Sequence, residues 1–266
     1  MSKLSEQLID VNRYRNRSAW IWLPPITALI LLVMLYWVNI DRELFLILNG
    51  AIGTSDSVLW ANITILGDAL ILLVLALPWI RKKPELVWAM FCAGVIAFFV
   101  SHGLKEYFGT PRPPKVLEAG EFFLTGPAYK KRAFPSGHTS AIFTVAAVYI
   151  LSIRNNRFNA IIFTLSGIIG FSRIAVGIHW PGDVLGGVIV GWLSGWLGLV
   201  ISTRISWGIS QIGQHVLSLI LLTCAVILLF FYSTKYFQAE LLHRAIASVL
   251  LIVGLVEYLS ILKAKS

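Results

Sequence analysis

Long apolar stretches recur along this chain of 266 residues and decide its fold class. Hydrophobic residues make up 57% of the sequence and charged residues only 13%, which is far from the balance of an average soluble domain. A helix needs roughly 20 apolar residues to cross a bilayer. About eight stretches approach that length, at residues 19–38, 63–80, 87–104, 139–153, 160–176, 184–201, 216–232 and 245–262. The sequence therefore predicts an all-α, polytopic membrane helix bundle.

The polar motifs of the sequence divide this bundle into two parts. They occur only among the first six stretches, and no repeat or flexible linker interrupts the chain. We expect a six-helix core in residues 1–203, with the motifs between residues 105 and 183, and a pair of extra C-terminal membrane helices in residues 204–266. The pair is interpreted as an appendage that serves dimerisation, lipid gating or stability, and the sequence leaves these alternatives and the oligomeric state open.

The charges of the loops predict an orientation, because Lys and Arg are enriched in cytoplasmic loops. The N-terminal apolar segment follows basic residues but lacks a small-residue cleavage site, so we expect a retained anchor rather than a signal peptide. With an even number of spans, both termini are then cytoplasmic. The basic cluster at residues 130–132 runs against the rule. The cations on the predicted cytoplasmic side are Lys3, Arg13, Arg15, Arg17, Arg81, Lys82, Lys83, Arg154, Arg157, Arg204, Lys263 and Lys265.

Net charge and cysteine content exclude two other classes of protein. The formal net charge is +9, but there is no basic stripe with interleaved aromatic residues, so we expect no nucleic-acid partner. Cys92 and Cys224 lie inside apolar stretches without the spacing of a ligand set. They are interpreted as small hydrophobic residues, and neither a disulfide framework nor a zinc site is predicted.

Three short polar segments, here called islands one, two and three, interrupt the apolar sequence. Island one is residues 105–113, island two residues 134–140 and island three residues 172–183. Ionisable side chains are costly near a bilayer and usually mark a site. The islands follow span three, precede span four and join spans five and six. The predicted topology therefore places all three on the same, extracytoplasmic face.

Islands one and two carry groups that suit an anion. Pro111 and Pro113 hold the chain extended around Arg112, whose planar fork matches phosphate, whereas Lys105 at a helix end supplies a point charge. A lone Lys at that position could instead extend to the membrane surface. In island two, Ser136 is a candidate N-cap and residue 137 a glycine, so a helix N-terminus would be open to an anion. The alternative is an ordinary capped helix with an exposed histidine.

Island three is the most specific of the three. Arg173 lies at the end of an apolar span, and His179 precedes Pro181, a residue suited to the first turn of the next helix. Asp183 would then lie close enough to accept a hydrogen bond from one imidazole nitrogen of His179, which leaves the other free to attack. The alternative is an Asp-capped helix with a bystander histidine.

Together the islands resemble the signature of the type 2 phosphatidic acid phosphatase superfamily. That signature reads Lys, six residues, Arg-Pro; then Pro-Ser-Gly-His; then Ser-Arg, five residues, His, three residues, Asp. Every position is present here in order and at the same spacing. The resemblance extends from the first span to about residue 201.

The resemblance implies a role for each signature residue. Lys105, Arg112 and Arg173 would bind the phosphate oxygens, helped by Ser136 and the Gly137 amide. These cations would do the work that Mg²⁺ does in other phosphoryl-transfer sites. The sequence shows no carboxylate cluster suited to a metal, so no metal and no cofactor are expected.

The same resemblance assigns the catalytic residues. His179 would be the nucleophile that forms a phosphohistidine, Asp183 would orient it, and His138 would protonate the leaving oxygen before water releases phosphate. Two further residues could support the site by contacting the signature residues rather than the substrate. Asp68 could pair with a cation of the site or have a local structural role, and His102 lies one turn before Lys105.

The expected function is hydrolysis of a membrane lipid phosphate or diphosphate at the extracytoplasmic face of a bacterial inner membrane. Undecaprenyl diphosphate is the leading substrate, followed by phosphatidylglycerol phosphate and lipid A phosphate. The partners are thus the lipid substrate and the bilayer. Two alternatives stay open at this stage: a lipid-to-lipid phosphotransferase that uses the same site, and a lipid scramblase without catalysis.

Overall fold

The computed structural model describes residues 18–53, 57–153 and 155–263, and every regular element in these ranges is a helix. Three short 3₁₀ turns, at Leu77–Trp79, Trp207–Ile209 and Phe237–Ala239, connect the α-helices. The α-helices are α1 Ser18–Val38, α2 Asp41–Gly53, α3 Ser57–Ile65, α4 Ala69–Val74, α5 Pro84–Phe108, α6 Pro113–Val116, α7 Gly137–Ser152, α8 Asn156–Ala175, α9 Pro181–Arg204, α10 Gln211–Phe230 and α11 Glu240–Lys263. The predicted all-α membrane bundle is confirmed.

Six helices in the described ranges are long and apolar enough to cross a membrane: α1, α5, α8, α9, α10 and α11. They correspond to six of the eight predicted spans. The predicted span at 139–153 is the shorter helix α7, which has 16 residues. Ten of these 16 residues are buried, so α7 is largely enclosed by its neighbours.

The predicted continuous span at residues 63–80 was wrong. Helix α3 ends at Ile65, and α4 begins only at Ala69 and has six residues. Asp68 causes the restart, because its Oδ1 accepts hydrogen bonds from Leu70 N at 2.9 Å and Ile71 N at 3.4 Å and so caps α4. Pro78 lies in the 3₁₀ turn that follows. The hydropathy of this stretch is that of a helix, but its cap and its proline break the helix into pieces.

A stripe of glycines brings α9 into direct contact with α7. A Cβ added at Gly191 would overlap with Ser140 O, and one at Gly195 would lie 2.5 Å from Ala147 Cβ. Small residues spaced by four let two membrane helices approach until their backbones touch. Gly187 continues the stripe toward the start of both helices, where its Cβ would lie 2.7 Å from Thr139 Cβ.

This packing gathers the islands at one end of the bundle. Helix α5 ends, α7 begins, α8 ends and α9 begins there, so islands one, two and three meet as the sequence predicts. Glu257 of α11 pairs with Arg81 and Lys82 in the turn before α5, with Nε–Oε2 and Nζ–Oε1 distances of 2.6 and 3.2 Å. The predicted cytoplasmic residues Lys3, Arg13, Arg15, Arg17, Arg154 and Lys265 lie outside the described residues.

The C-terminal helices α10 and α11 are packed into the bundle. Leu221 of α10 and Leu250 of α11 belong to the same buried cluster as Ile71, Leu77 and Val87. The side chain of Leu77 also fills the space that a Cβ at Gly254 of α11 would need, 2.8 Å away. The pair therefore shares a hydrophobic core with the broken segment 66–80 and with α5.

The glycine stripe generates a prediction about stability. We expect Gly191→Ala to lower the midpoint of thermal unfolding by several degrees, because overpacking costs about 1–3 kcal/mol and each kcal/mol moves Tm by about 2–4 °C in a chain of this size. Gly167→Ala in α8 is the matched control, since a Cβ there meets none of the described residues within 4 Å. The measurement is thermal unfolding of both purified variants in detergent. Equal midpoints for Gly191→Ala and wild type would show that α7 and α9 do not touch as described.

Candidate active site

The N-terminus of α7 forms one wall of the site. Ser136 is its N-cap: Ser136 Oγ accepts hydrogen bonds from Thr139 Oγ1 at 2.9 Å and, more weakly, from Thr139 N at 3.4 Å. Gly137 faces Lys105, whose Cε would lie 3.9 Å from a Cβ at Gly137. Ser136 N donates to Asp183 O at 2.9 Å, which joins island two to island three. The first turn of α7 is thus held beside the first turn of α9.

His179 and Asp183 form a buried pair at the start of α9. His179 Nδ1 lies 3.2 Å from Asp183 Oδ2, and the two residues are 2% and 1% exposed. The same oxygen accepts a hydrogen bond from Trp180 N at 2.9 Å. Pro181 starts the helix at its first position, as the sequence predicts, so the carboxylate of Asp183 faces back toward His179.

The surroundings of His179 favour the neutral form of its imidazole. Burial lowers the pKa of His179 well below its usual value, and the positive charges of Arg112, Lys105 and Arg173 lower it further. A neutral imidazole whose Nδ1–H faces a carboxylate has its lone pair on Nε2.

Arg173 is the most deeply buried cation of the site. It is 3% exposed, and its Nη1 donates to the hydroxyl oxygen of Thr64 and, at 3.5 Å, to that of Tyr236. Arg173 Nε is buried and has no hydrogen-bond partner among the described residues. A buried donor without a partner is costly, so this nitrogen is suited to an anionic ligand.

Lys105 and Arg112 hold the loop that follows α6. Lys105 Nζ donates to Pro135 O and, at 3.2 Å, to Arg132 O. Arg112 Nε donates to Lys131 O at 2.9 Å, and its Nη1 to Ile178 O at 3.4 Å in island three. All three predicted phosphate-binding cations therefore lie in the same cluster as His179.

Asp68 and His138 meet at the break between α3 and α4. Asp68 Oδ2 lies 4.0 Å from His138 Nε2 and accepts a 2.6 Å hydrogen bond from the Tyr232 hydroxyl. A Cβ at Gly67 would lie 3.2 Å from His138 Cβ, so the glycine allows this approach. Asp68 thus has the local structural role of capping α4 and also lies near His138, whereas its pairing with a cation of the site stays a prediction.

His102 lies apart from the signature residues. Its Nδ1 is 3.1 Å from Phe98 O in its own helix, and its ring packs on Phe98 at 4.3 Å between centroids. It lines the same cavity as Lys105 and His138. Its support of the site stays a prediction.

The sequence analysis did not identify the residues whose hydrogen bonds join distant segments to the site. Asn49, fully buried in α2, donates from Nδ2 to Phe123 O and Ile174 O, both at 3.0 Å. Thr64, Tyr232 and Tyr236 contact Arg173 or Asp68 as described above. Asn49 and Thr64 are polar residues within apolar sequence, which is a usable signal. Tyr232, the last residue of the seventh predicted span, and Tyr236, four residues beyond it, carry no such signal.

Comparison with known proteins identifies the family. A model of the PAP2 superfamily matches residues 85–207. The Escherichia coli (strain K12) protein named "Putative undecaprenyl-diphosphatase YbjG" is 30% identical over 177 residues, which cover 64% of this chain and 83% of that protein. This chain belongs to the PAP2 superfamily. The resemblance predicted from the three islands is therefore confirmed.

Other PAP2-type relatives agree in sequence and in fold. A "Lipid A 4'-phosphatase" of Porphyromonas gingivalis is 26% identical over 171 residues, which cover 61% of this chain and 72% of that protein. The crystal structure of Aquifex aeolicus LpxE matches with a TM-score of 0.52 and 29% identity, over 60% of this chain and 95% of that one. The protein is a PAP2 membrane lipid phosphatase, a hydrolase embedded in the bilayer. The matched family region ends before α10 and α11.

Proposed function

We propose that this protein hydrolyses a phosphate monoester or diphosphate of a membrane lipid through a phosphohistidine formed on His179. The observation that carries the proposal is the buried His179–Asp183 pair, with 3.2 Å between Nδ1 and Oδ2. Lys105, Arg112 and Arg173 surround this pair, and each of their charges acts on the histidine. A neutral nucleophile oriented by a carboxylate among fixed cations suits attack on an anionic phosphate.

The first chemical step joins His179 Nε2 to phosphorus. The N–P bond forms while the P–O bond to the lipid breaks, and His138 donates its proton to the leaving oxygen. Water then attacks phosphorus and gives a proton back to His138, and the N–P bond breaks to release inorganic phosphate. The role of Asp183 is to hold the Nδ1 proton of His179 and to stabilise the imidazole as it gains positive charge.

The cations supply the charge stabilisation that phosphoryl transfer needs. Arg173 Nε is a buried donor without a partner in the part of the chain that the structure describes, and the Gly137 amide lies at the N-terminus of α7, where anions bind. The described residues contain no group of three or more His, Cys, Asp or Glu side chains placed to hold a metal ion. We propose that the three cations act in place of a metal and that no cofactor takes part.

Asp68 and Tyr232 position His138. The Tyr232 hydroxyl donates to Asp68 Oδ2, and this oxygen lies 4.0 Å from His138 Nε2. The carboxylate limits where the imidazole can lie relative to the leaving oxygen. In this proposal Asp68 and Tyr232 do not transfer the proton themselves, and they act through His138.

The proposed substrate is undecaprenyl diphosphate, with phosphatidylglycerol phosphate and lipid A phosphate as the next candidates. Two relatives named as undecaprenyl-diphosphatases, from Escherichia coli and Bacillus subtilis, support the first choice, and the lipid A phosphatases support the third. We further propose that the site faces the periplasm and that both termini are cytoplasmic. The basic turn at residues 81–83 lies at the opposite end of α5 from Lys105, which fits the positive-inside rule.

The nucleophile assignment predicts the effect of His179→Ala. We expect release of inorganic phosphate from undecaprenyl diphosphate to fall by roughly a thousandfold or more, as when other nucleophiles are removed. The assay is run in detergent micelles with EDTA, in which wild-type activity should persist. His215→Ala, whose ring packs on Tyr258, is the matched control and should match wild type. Phosphatase activity of His179→Ala equal to that of wild type would refute the assignment. If the wild-type enzyme transfers the phosphate to a second lipid instead of releasing it, the protein is a phosphotransferase.

The environment of His179 predicts the pH profile. A lowered pKa of His179 means that the imidazole stays neutral, and able to attack, until the pH falls below about 6.5, the usual value. The acid limb of kcat/KM, which reports the free enzyme, should therefore lie below that pH. Ionisation of the substrate phosphate also contributes to this limb. The pKa of that phosphate is therefore measured separately by ³¹P NMR, and its contribution is removed from the profile. An acid limb that stays above about 6.5 after this subtraction would contradict the neutral nucleophile.

A further inference from the structure

Two hydroxyl groups from outside the signature motifs lie on one nitrogen of Arg173. Arg173 Nη1 donates to Thr64 Oγ1 and, at 3.5 Å, to the hydroxyl oxygen of Tyr236. The contact with Tyr236 is the weaker of the two, because N–H···O bonds are usually about 2.7–3.2 Å long. Thr64 is fully buried and Tyr236 is 3% exposed, so both contacts are sheltered from water.

The two hydroxyls come from segments that are far apart in the sequence. Thr64 lies in the last turn of α3, and Tyr236 lies in the connection between α10 and α11. The matched family region is residues 85–207, so each segment lies outside it. The signature motifs therefore do not describe these contacts, although both are made to a signature arginine.

The same two segments also meet beside the predicted acid. Asp68, four residues after the threonine, lies 4.0 Å from His138 Nε2. Tyr232, four residues before the second tyrosine, donates to Asp68 Oδ2 at 2.6 Å. Segments 64–68 and 232–236 thus contact each other directly, and together they contact both the arginine and the histidine of the site.

Local packing fixes the place of each hydroxyl. Gly67 N donates to Thr64 O at 3.1 Å, which closes the turn at the end of α3. The ring of Tyr236 packs on Gly126, where an added Cβ would lie 2.6 Å from Cε1 of the ring. Gly126 has a φ of +85°, a conformation that glycine adopts without strain. The loop between islands one and two therefore holds the tyrosine against the site.

We propose that Thr64 and Tyr236 are positioning residues for Arg173. Their hydroxyl oxygens hold Nη1, so that Nε, a buried donor without a partner among the described residues, faces the phosphate. A donor that is already fixed loses less conformational freedom when the anion binds. This inference rests on the proposed function, because Arg173 is taken to bind the substrate phosphate. The connection between α10 and α11 then belongs to the active site.

The test separates the hydroxyl of Thr64 from its shape. Thr64→Val keeps a β-branched side chain and removes the hydroxyl, whereas Thr64→Ser keeps the hydroxyl and removes a methyl group. A positioning role predicts that Thr64→Val is the more impaired variant, and a packing role predicts the reverse. The matched control is Thr203→Val, since Thr203 Oγ1 donates to Val200 O within α9, at the opposite end of that helix from His179.

The readout is the dissociation constant of inorganic phosphate, measured from the broadening of its ³¹P NMR line by purified protein in a phosphate-free detergent. The measurement needs no turnover, and the folded fraction changes only its amplitude. We expect Thr64→Val to raise the dissociation constant roughly two- to tenfold, the factor that corresponds to ordering one flexible side chain on binding. Thr64→Ser and Thr203→Val should keep the wild-type value.

The contribution of Tyr236 is tested with Tyr236→Phe. We expect a smaller increase of the dissociation constant than in Thr64→Val, because the contact of this hydroxyl with Arg173 is longer. Tyr258→Phe is the matched control, since it removes a tyrosine hydroxyl near the far end of α11. Equal effects of the two tyrosine variants would remove Tyr236 from the proposal.

Different failures identify different errors. An unchanged dissociation constant in Thr64→Val, or a larger increase in Thr64→Ser than in Thr64→Val, would overturn the positioning role. Wild-type protein that binds no inorganic phosphate would overturn it as well. The proposed function fails separately, if wild-type protein binds phosphate but releases none from any lipid phosphate.

Discussion

The contact between α7 and α9 sets the positions of the groups in the site. Because three glycines of α9 carry no side chain, the two backbones touch, and Ser136 N can donate to Asp183 O at 2.9 Å. This contact places a helix N-terminus, which favours anions, beside the buried His179–Asp183 pair. A larger separation of the helices would move the predicted phosphate cradle away from the predicted nucleophile. The close-packing residues are Gly187, Gly191 and Gly195.

The cations then determine what the site can bind. Three positive side chains and two histidines lie close together in the site, and the carboxylates of Asp183 and Asp68 lie near them. Positive charge that is not compensated is costly away from water. Backbone carbonyl groups accept hydrogen bonds from Lys105 and Arg112, but Arg173 Nε has no hydrogen-bond partner within the described ranges. A phosphate group would satisfy that donor and balance the charge. Burial and the same cations lower the pKa of His179, which suits the nucleophilic role proposed for it.

Short-range patterns in the sequence predicted most of this arrangement. Six long apolar stretches became membrane helices, and fixed spacings such as His179 to Asp183 placed pairs of residues on one turn. Hydropathy failed at residues 63–80, because it does not register that Asp68 caps a helix. The contacts of Tyr232 with Asp68 and of Asn49 with Ile174 could not be predicted either. They join segments 164 and 125 residues apart, and no local pattern encodes such a distance.

The central claim is that phosphate passes through a covalent bond to His179, and direct detection of that bond tests it. Wild-type enzyme is mixed with a ³²P-labelled lipid diphosphate, quenched in alkali within the first turnover and digested, and the labelled peptide is sequenced by mass spectrometry. The account predicts label on His179 that appears before free phosphate and is lost as free phosphate forms. Free phosphate released in the first turnover with no label on the protein, or label on a different residue, would contradict it.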